Sequence, residues 1–346
     1  MSVAKRVAKT AGVAAGVVAG MAGVAYGAQR AVTRGLRNRP DPDAGRLDHL
    51  QFDESRRLPG HDGGSIYTIS RGEGPTIVLS HGVTIDSRVW VKQLEALPEQ
   101  GMRVVAFDHR GHGQSLLGDT GHSIENLATD VKTVLEGLDL RDVILVGHSM
   151  GGLAAQAFAI NHPGVARSRV RGLVLLSTFA RTPAASLTPF PVEKVASWLD
   201  LAGLMRRPQL GTMLARIAFG KEPLGSHVEL TRTMLSECDP DTARLAILPL
   251  LDVDLTAQLG EIDRPTLVIG GRADVLTPPM ESRRIARHLP GARLVLVEHA
   301  GHMLMLERTE LFHELLLDFA REVGLVKQTS APPGSANQGG AQAARA

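Results

Sequence analysis

Near the middle of the chain an apolar run ending in Leu145-Val146 feeds the turn Gly147-His148-Ser149-Met150-Gly151, and an alanine-rich stretch follows at once. A serine held between two glycines in this way is suited to nucleophilic attack on a carbonyl carbon. The glycines let the backbone double back so tightly that Ser149 is left strained, with its hydroxyl presented rather than buried. The amide of Met150, first in the following segment, would face the oxygen on which negative charge collects, assisted by the helix dipole. The chemistry expected here is acyl transfer through a serine.

A five-residue pattern recurs by chance, so its flanks matter. Residues 142–146 read as a buried strand and residues 153–159 as a helix with small side chains for close packing. With those flanks the sequence resembles an α/β-hydrolase of the Ser-His-Asp type, over residues 47–326. The resemblance implies a mostly parallel, doubly wound sheet with a helical cap. It also implies a catalytic triad that needs no metal or organic cofactor.

The remaining site residues follow from that resemblance. His81-Gly82, at the end of a strand over residues 75–80, is similar to the family's first oxyanion motif, in which Val83 donates its amide. Asp274, in a loop closed by Pro278 and Pro279 after a strand over residues 265–271, resembles the family's acid, which orients the histidine and stabilises its charged form. His302, behind Gly301 and ahead of the last helix, occupies the position of the base, whereas His299 reads as a strand-end residue, packed in the loop or exposed. The order Ser149, Asp274, His302 differs from the chymotrypsin and subtilisin orders. Dehalogenase and epoxide hydrolase relatives carry an aspartate nucleophile where this chain has Ser149.

Other polar residues read as structural. Asp108, Arg110 and His112, in and before the turn over residues 109–115, are expected to stabilise that turn rather than carry protons. Trp90 is expected to pack a helix, and Asp130, on a helix over residues 123–138, to be a surface charge. The single cysteine, Cys238, has no motif around it and excludes an internal disulfide or a multi-cysteine metal site.

These residues need a large scaffold, and 346 residues with 43% hydrophobic content suffice for one large domain with an insertion. Strands are expected at residues 103–108, 170–177 and 293–297, and a hairpin joins two early strands around Gly60 and Gly63. Between the strands at 170–177 and 265–271 the gap exceeds an ordinary crossover and contains helix-like pieces. Residues 179–264 are therefore expected to form a cap. Its Leu204, Met205, Met213, Met234 and Leu250 are candidates to line an apolar acyl pocket, or else to form core between cap helices.

The ends differ from the middle. Residues 10–28 form an uncharged Ala, Gly and Val run flanked by positive residues, long enough to cross a bilayer but poor in leucine and isoleucine. A single membrane anchor is the favoured expectation, against a secretory signal or a surface helix, which leaves cytoplasmic and secreted locations as alternatives. A Pro-Asp joint ends this N-terminal unit of residues 1–45, the hydrolase domain spans 46–326, and the tail of 327–346 has too little apolar surface to fold. A formal net charge of +2, with the positive residues gathered near the N-terminus, gives no basic face for nucleic acid.

The activity expected is cleavage of a small, apolar-acyl ester through an acyl-enzyme. The same fold also supports thioesterase, acyltransferase, perhydrolase and C–C hydrolase chemistry, and a non-catalytic ligand-binding module is the alternative of a different class.

Overall fold

The computed structural model describes residues 35–36, 38–182 and 201–326. The N-terminal run at 10–28, part of the insertion at 183–200 and the tail from 327 lie outside the described residues. Among the described residues no helix is long and apolar enough to cross a membrane.

Eight strands form one sheet: β1 (Glu54–Pro59), β2 (Ser65–Arg71), β3 (Thr76–Ser80), β4 (Arg103–Phe107), β5 (Val143–His148), β6 (Val170–Leu176), β7 (Thr266–Gly271) and β8 (Arg293–Val297). Their order is β1-β2-β4-β3-β5-β6-β7-β8. The β1/β2 and β2/β4 pairs are antiparallel and every pair from β4/β3 onward is parallel.

Alternation along the strands feeds two cores, one on each face of the sheet. Ile77, Leu79, Val104, Ala106, Ile144 and Val146 join one, with Trp90 and Phe312. Val78, Val105, Phe107, Val143 and Leu145 join the other, with Leu127, Leu153 and Phe158. Trp90 immediately precedes α1 (Val91–Ala96), Leu127 lies on α2 (Ile124–Gly137), and Leu153 and Phe158 lie on α3 (Met150–Asn161), which is followed by α4 (Pro163–Arg169). Ser123 caps α2 by accepting from Asn126 N. In α3 every residue from Met150 to Ala159 is buried, which explains its run of small residues.

Asp130 is not the surface charge that its helix suggested. It is fully buried. Arg110, also buried, donates to it at 2.6 and 2.8 Å and to Asp62 at 2.9 Å. The guanidinium brought inward behind β4 needs counter-charges, because an unpaired buried ion is strongly unfavourable.

Between β6 and β7 lie α5 (Leu201–Met205), α6 (Pro208–Arg216), α7 (Gly225–Glu237) and α8 (Pro240–Ile247). The chain then continues through α9 (Pro279–His288), α10 (Leu304–Glu307) and α11 (Thr309–Glu322).

The Pro-Asp joint is not detached from the rest. Arg39 donates to the Pro223 carbonyl and pairs with Glu222. Leu224, which precedes α7, offers no capping oxygen, and Asp41 supplies one from afar by accepting from Ser226 N at 2.7 Å and Ser226 Oγ at 2.9 Å. Asp43 bridges His227 of α7 at 2.8 Å and Lys92 of α1 at 2.7 Å, thereby tying the insertion to the sheet domain.

Burial alone would raise the Asp43 carboxyl, but Lys92 and His227 outweigh it and hold it below its ordinary range. A lowered folded value means that this contribution is complete above about pH 4 and is lost as pH falls through the lowered value. We expect deletion of residues 1–40 to leave a folded, active chain, whereas Asp43→Ala should cost roughly 2 kcal/mol or more and Asp41→Ala about 1 kcal/mol. Urea unfolding of each variant measures this, and an Asp43→Ala midpoint equal to that of the wild type would refute the clamp.

Candidate active site

The backbone of the serine turn carries the strain expected of it. Ser149 has φ 54° and ψ −118°, in the left-handed region that residues with a side chain rarely adopt. Both glycines are forced by close approach: a Cβ on Gly147 would lie 2.3 Å from the Gly151 carbonyl oxygen, and one on Gly151 would lie 2.4 Å from that of Ser80. The turn is tied down by Ser149 N donating to Leu176 O at 3.0 Å and by Thr178 Oγ1 donating to Ser149 O at 2.7 Å.

Asp274 and His302, brought together from the ends of β7 and β8, are both buried. His302 Nδ1 donates to Asp274 Oδ2 at 3.0 Å, which leaves Nε2 as the basic nitrogen. The other Asp274 oxygen accepts from the amides of Leu276 and Thr277 at 2.9 and 2.8 Å, while Thr277 Oγ1 donates to Oδ2 at 2.6 Å. Burial alone would raise this carboxyl, but adjacent His302 and the Thr277 bonds outweigh it and keep it below the ordinary range. The aspartate is therefore an anion, the form that can orient and stabilise an imidazolium.

His148, the chain neighbour of Ser149, packs against the base. Its ring lies 4.7 Å from the His302 ring, and its Nε2 donates to the His302 carbonyl at 3.0 Å. Burial holds His148 neutral, with its pKa well below the ordinary value. Among the described residues the Ser149 and His302 side chains are not hydrogen-bonded to each other, and such bonds commonly tighten when substrate arrives.

Gly82 abuts the elbow: a Cβ there would lie 3.2 Å from the Ser149 Cβ. That puts Val83 next to the nucleophile, and among the described residues neither the Val83 amide nor the Met150 amide has a hydrogen-bond acceptor. Such a pair of open donors fits a carbonyl oxygen that gains charge.

The neighbouring polar residues are occupied elsewhere. His81 donates from Nδ1 to Gly82 O and accepts from His109 N, while His112 donates from Nδ1 to Arg110 O and accepts from Thr84 N. Burial brings their pKa values down to about 4 and about 3, so both are neutral hydrogen-bonding residues. Asp108, pushed up to about 6 by burial and by Asp86, accepts from the amides of Ser87 and Gln114. Trp90 is buried, stacked on Phe312 and edge-on to His148. His299 is exposed. Burial, with Asp239 and Asp86 nearby, pushes the Cys238 thiol up to about 12, so little thiolate exists at neutral pH.

Of the pocket candidates, Met205, Met234 and Leu250 are buried, and Leu204 and Met213 are half-buried. Met234 lines a cavity of about 490 Å³ with Thr84, Asp86 and His112, and a second, of about 620 Å³, lies between the joint and α7. Among the described residues neither cavity is lined by Ser149, Asp274 or His302.

The sequence did not single out Thr277, His148, the capping Asp41 or the bridging Asp43. His148 carried a signal, being adjacent to the nucleophile. Thr277 had only its position within the acid loop.

An eight-stranded, mostly parallel sheet with a serine elbow after β5 and an Asp–His pair after β7 and β8 defines a serine hydrolase of the α/β-hydrolase fold. The model of the serine aminopeptidase S33 family matches residues 74–309, and the chain belongs to that family. A Variovorax paradoxus protein assigned as carbamate hydrolase RutD is 31% identical over 256 residues, covering 72% of this chain and 93% of its own. A 2-hydroxy-6-oxononadienedioate/2-hydroxy-6-oxononatrienedioate hydrolase of Dechloromonas aromatica is 32% identical over 256 residues, covering 70% and 86%. Among solved structures, an esterase from Exiguobacterium antarcticum superposes with a TM-score of 0.69 at 26% identity, covering 78% of this chain and all of its own.

Proposed function

We propose that this hydrolase cleaves carboxylic esters of small molecules through an acyl-enzyme, with Ser149 as nucleophile, His302 as base and Asp274 as the acid partner. Supporting this are the His302–Asp274 pair at 3.0 Å and a serine at φ 54° whose chain neighbour His148 bonds the His302 carbonyl. His302 Nε2 takes the Ser149 proton as Oγ attacks the carbonyl carbon. The amides of Val83 and Met150 hold the resulting oxyanion, and Asp274 stabilises the imidazolium.

Collapse of the tetrahedral intermediate expels the alcohol, which receives its proton from His302. Water, activated by the same nitrogen, then releases the acid. The helices between β6 and β7 act as the cap, and the apolar side chains they carry favour an apolar acyl group.

Carbamate cleavage is a second reading, favoured by the naming of the Variovorax relative, and it uses the same residues. A p-nitrophenyl series separates the two: acyl esters of increasing chain length against an N-alkyl carbamate and an anilide. We expect the highest kcat/KM on an acyl ester. A carbamate preferred over every ester by tenfold would move the assignment to that chemistry.

A further inference from the structure

The loop that carries His302 is held largely by the insertion. Ala218 O, in the turn after α6, accepts from the amides of both His302 and Met303, at 2.8 and 3.2 Å, and Lys221 N donates to His299 O at 3.0 Å. The two backbones touch: a Cβ on Gly220 would lie 2.0 Å from His299 O, and one on Gly301 would lie 2.3 Å from Gly220 N. Arg216 braces the same turn by donating to Phe219 O at 2.8 Å.

One side chain closes both ends of this contact. Glu307, the last residue of α10, accepts from Gly220 N through Oε2 at 2.6 Å and from Gly301 N through Oε1 at 2.8 Å. A carboxylate is the side chain suited to this, because it offers two acceptor oxygens and no donor to oppose either amide. The amides it holds belong to the turn of the insertion and to the residue before His302.

We propose that Glu307 is a positioning residue for the base, one that locks the insertion turn at 218–221 and the His302 loop into a single unit, so that the cap and the base take up their working geometry together. The proposal rests on the reading of His302 as the base. It makes the carboxylate important for the chemical step rather than for substrate affinity, since Glu307 acts on where His302 sits and not on the substrate.

Glu307→Gln tests it on the full chain. Glutamine keeps the shape but sets an NH2 donor against one of the two amide donors. Active sites are counted with a fluorophosphonate, and kcat and KM are measured per labelled site on one short-chain p-nitrophenyl ester.

The expected result is a fall in kcat of about 10- to 100-fold with KM within about threefold of wild type. Should the glutamine variant not fold, Glu307→Asp, one methylene too short to hold both amides, carries the same expectation. A kcat per labelled site within twofold of wild type overturns the proposal. Wild-type protein that neither labels nor turns over ester overturns the hydrolase reading instead.

Discussion

Ser149→Ala is expected to lower kcat on the preferred ester by roughly 10⁴ or more while leaving the thermal midpoint within about 3 °C of wild type. The loss is large because triad members act as a unit and nothing nearby can substitute for the hydroxyl. Cys238 has its pKa pushed up to about 12, and the histidines beside the elbow are held neutral in fixed hydrogen bonds. Stability is spared because alanine meets the same strained backbone, at φ 54°, as serine does. Steady-state kinetics and thermal melts on one preparation test both halves. A variant that retains kcat within tenfold would place the nucleophile elsewhere.

His302→Ala is expected to lower kcat by roughly 10³ or more, and His299→Ala by less than about threefold. The two histidines are three residues apart and differ in everything that matters to a base. His302 is buried, with Nδ1 committed to Asp274 and its carbonyl bonded to His148. His299 is exposed and contributes its carbonyl to Lys221, a bond that alanine preserves. Its φ of 62° makes a modest stability loss the expected cost. The comparison is therefore made on variants with matched unfolding midpoints and with kcat and KM measured separately. Greater damage from His299→Ala would mean that the loop after β8 has been assigned the wrong register.

Features that depend on short-range pattern were legible in the chain. The apolar runs became β3, β5, β6 and β7 within a residue or two, and the glycines around Ser149 announced a turn that only small residues can make. What pattern could not supply was pairing across distance. Nothing in the period of α2 distinguishes Asp130 from a solvated charge, because its reason for burial is Arg110, 20 residues away. The joint read as the end of the N-terminal unit because a helix cannot continue through its prolines, whereas Asp41 caps α7 from 185 residues away. Nothing local marks Glu307, whose partners in the insertion turn become neighbours only once the chain has folded.

Everything proposed for the site depends on one strained serine being the activated nucleophile. Labelling the full-length chain with a fluorophosphonate, digesting it and locating the adduct by peptide mass spectrometry settles which residue that is, because only an activated hydroxyl reacts. We expect a single adduct on Ser149, lost in His302→Ala and retained in His299→Ala. No adduct, or an adduct on another residue of a folded chain, would contradict it.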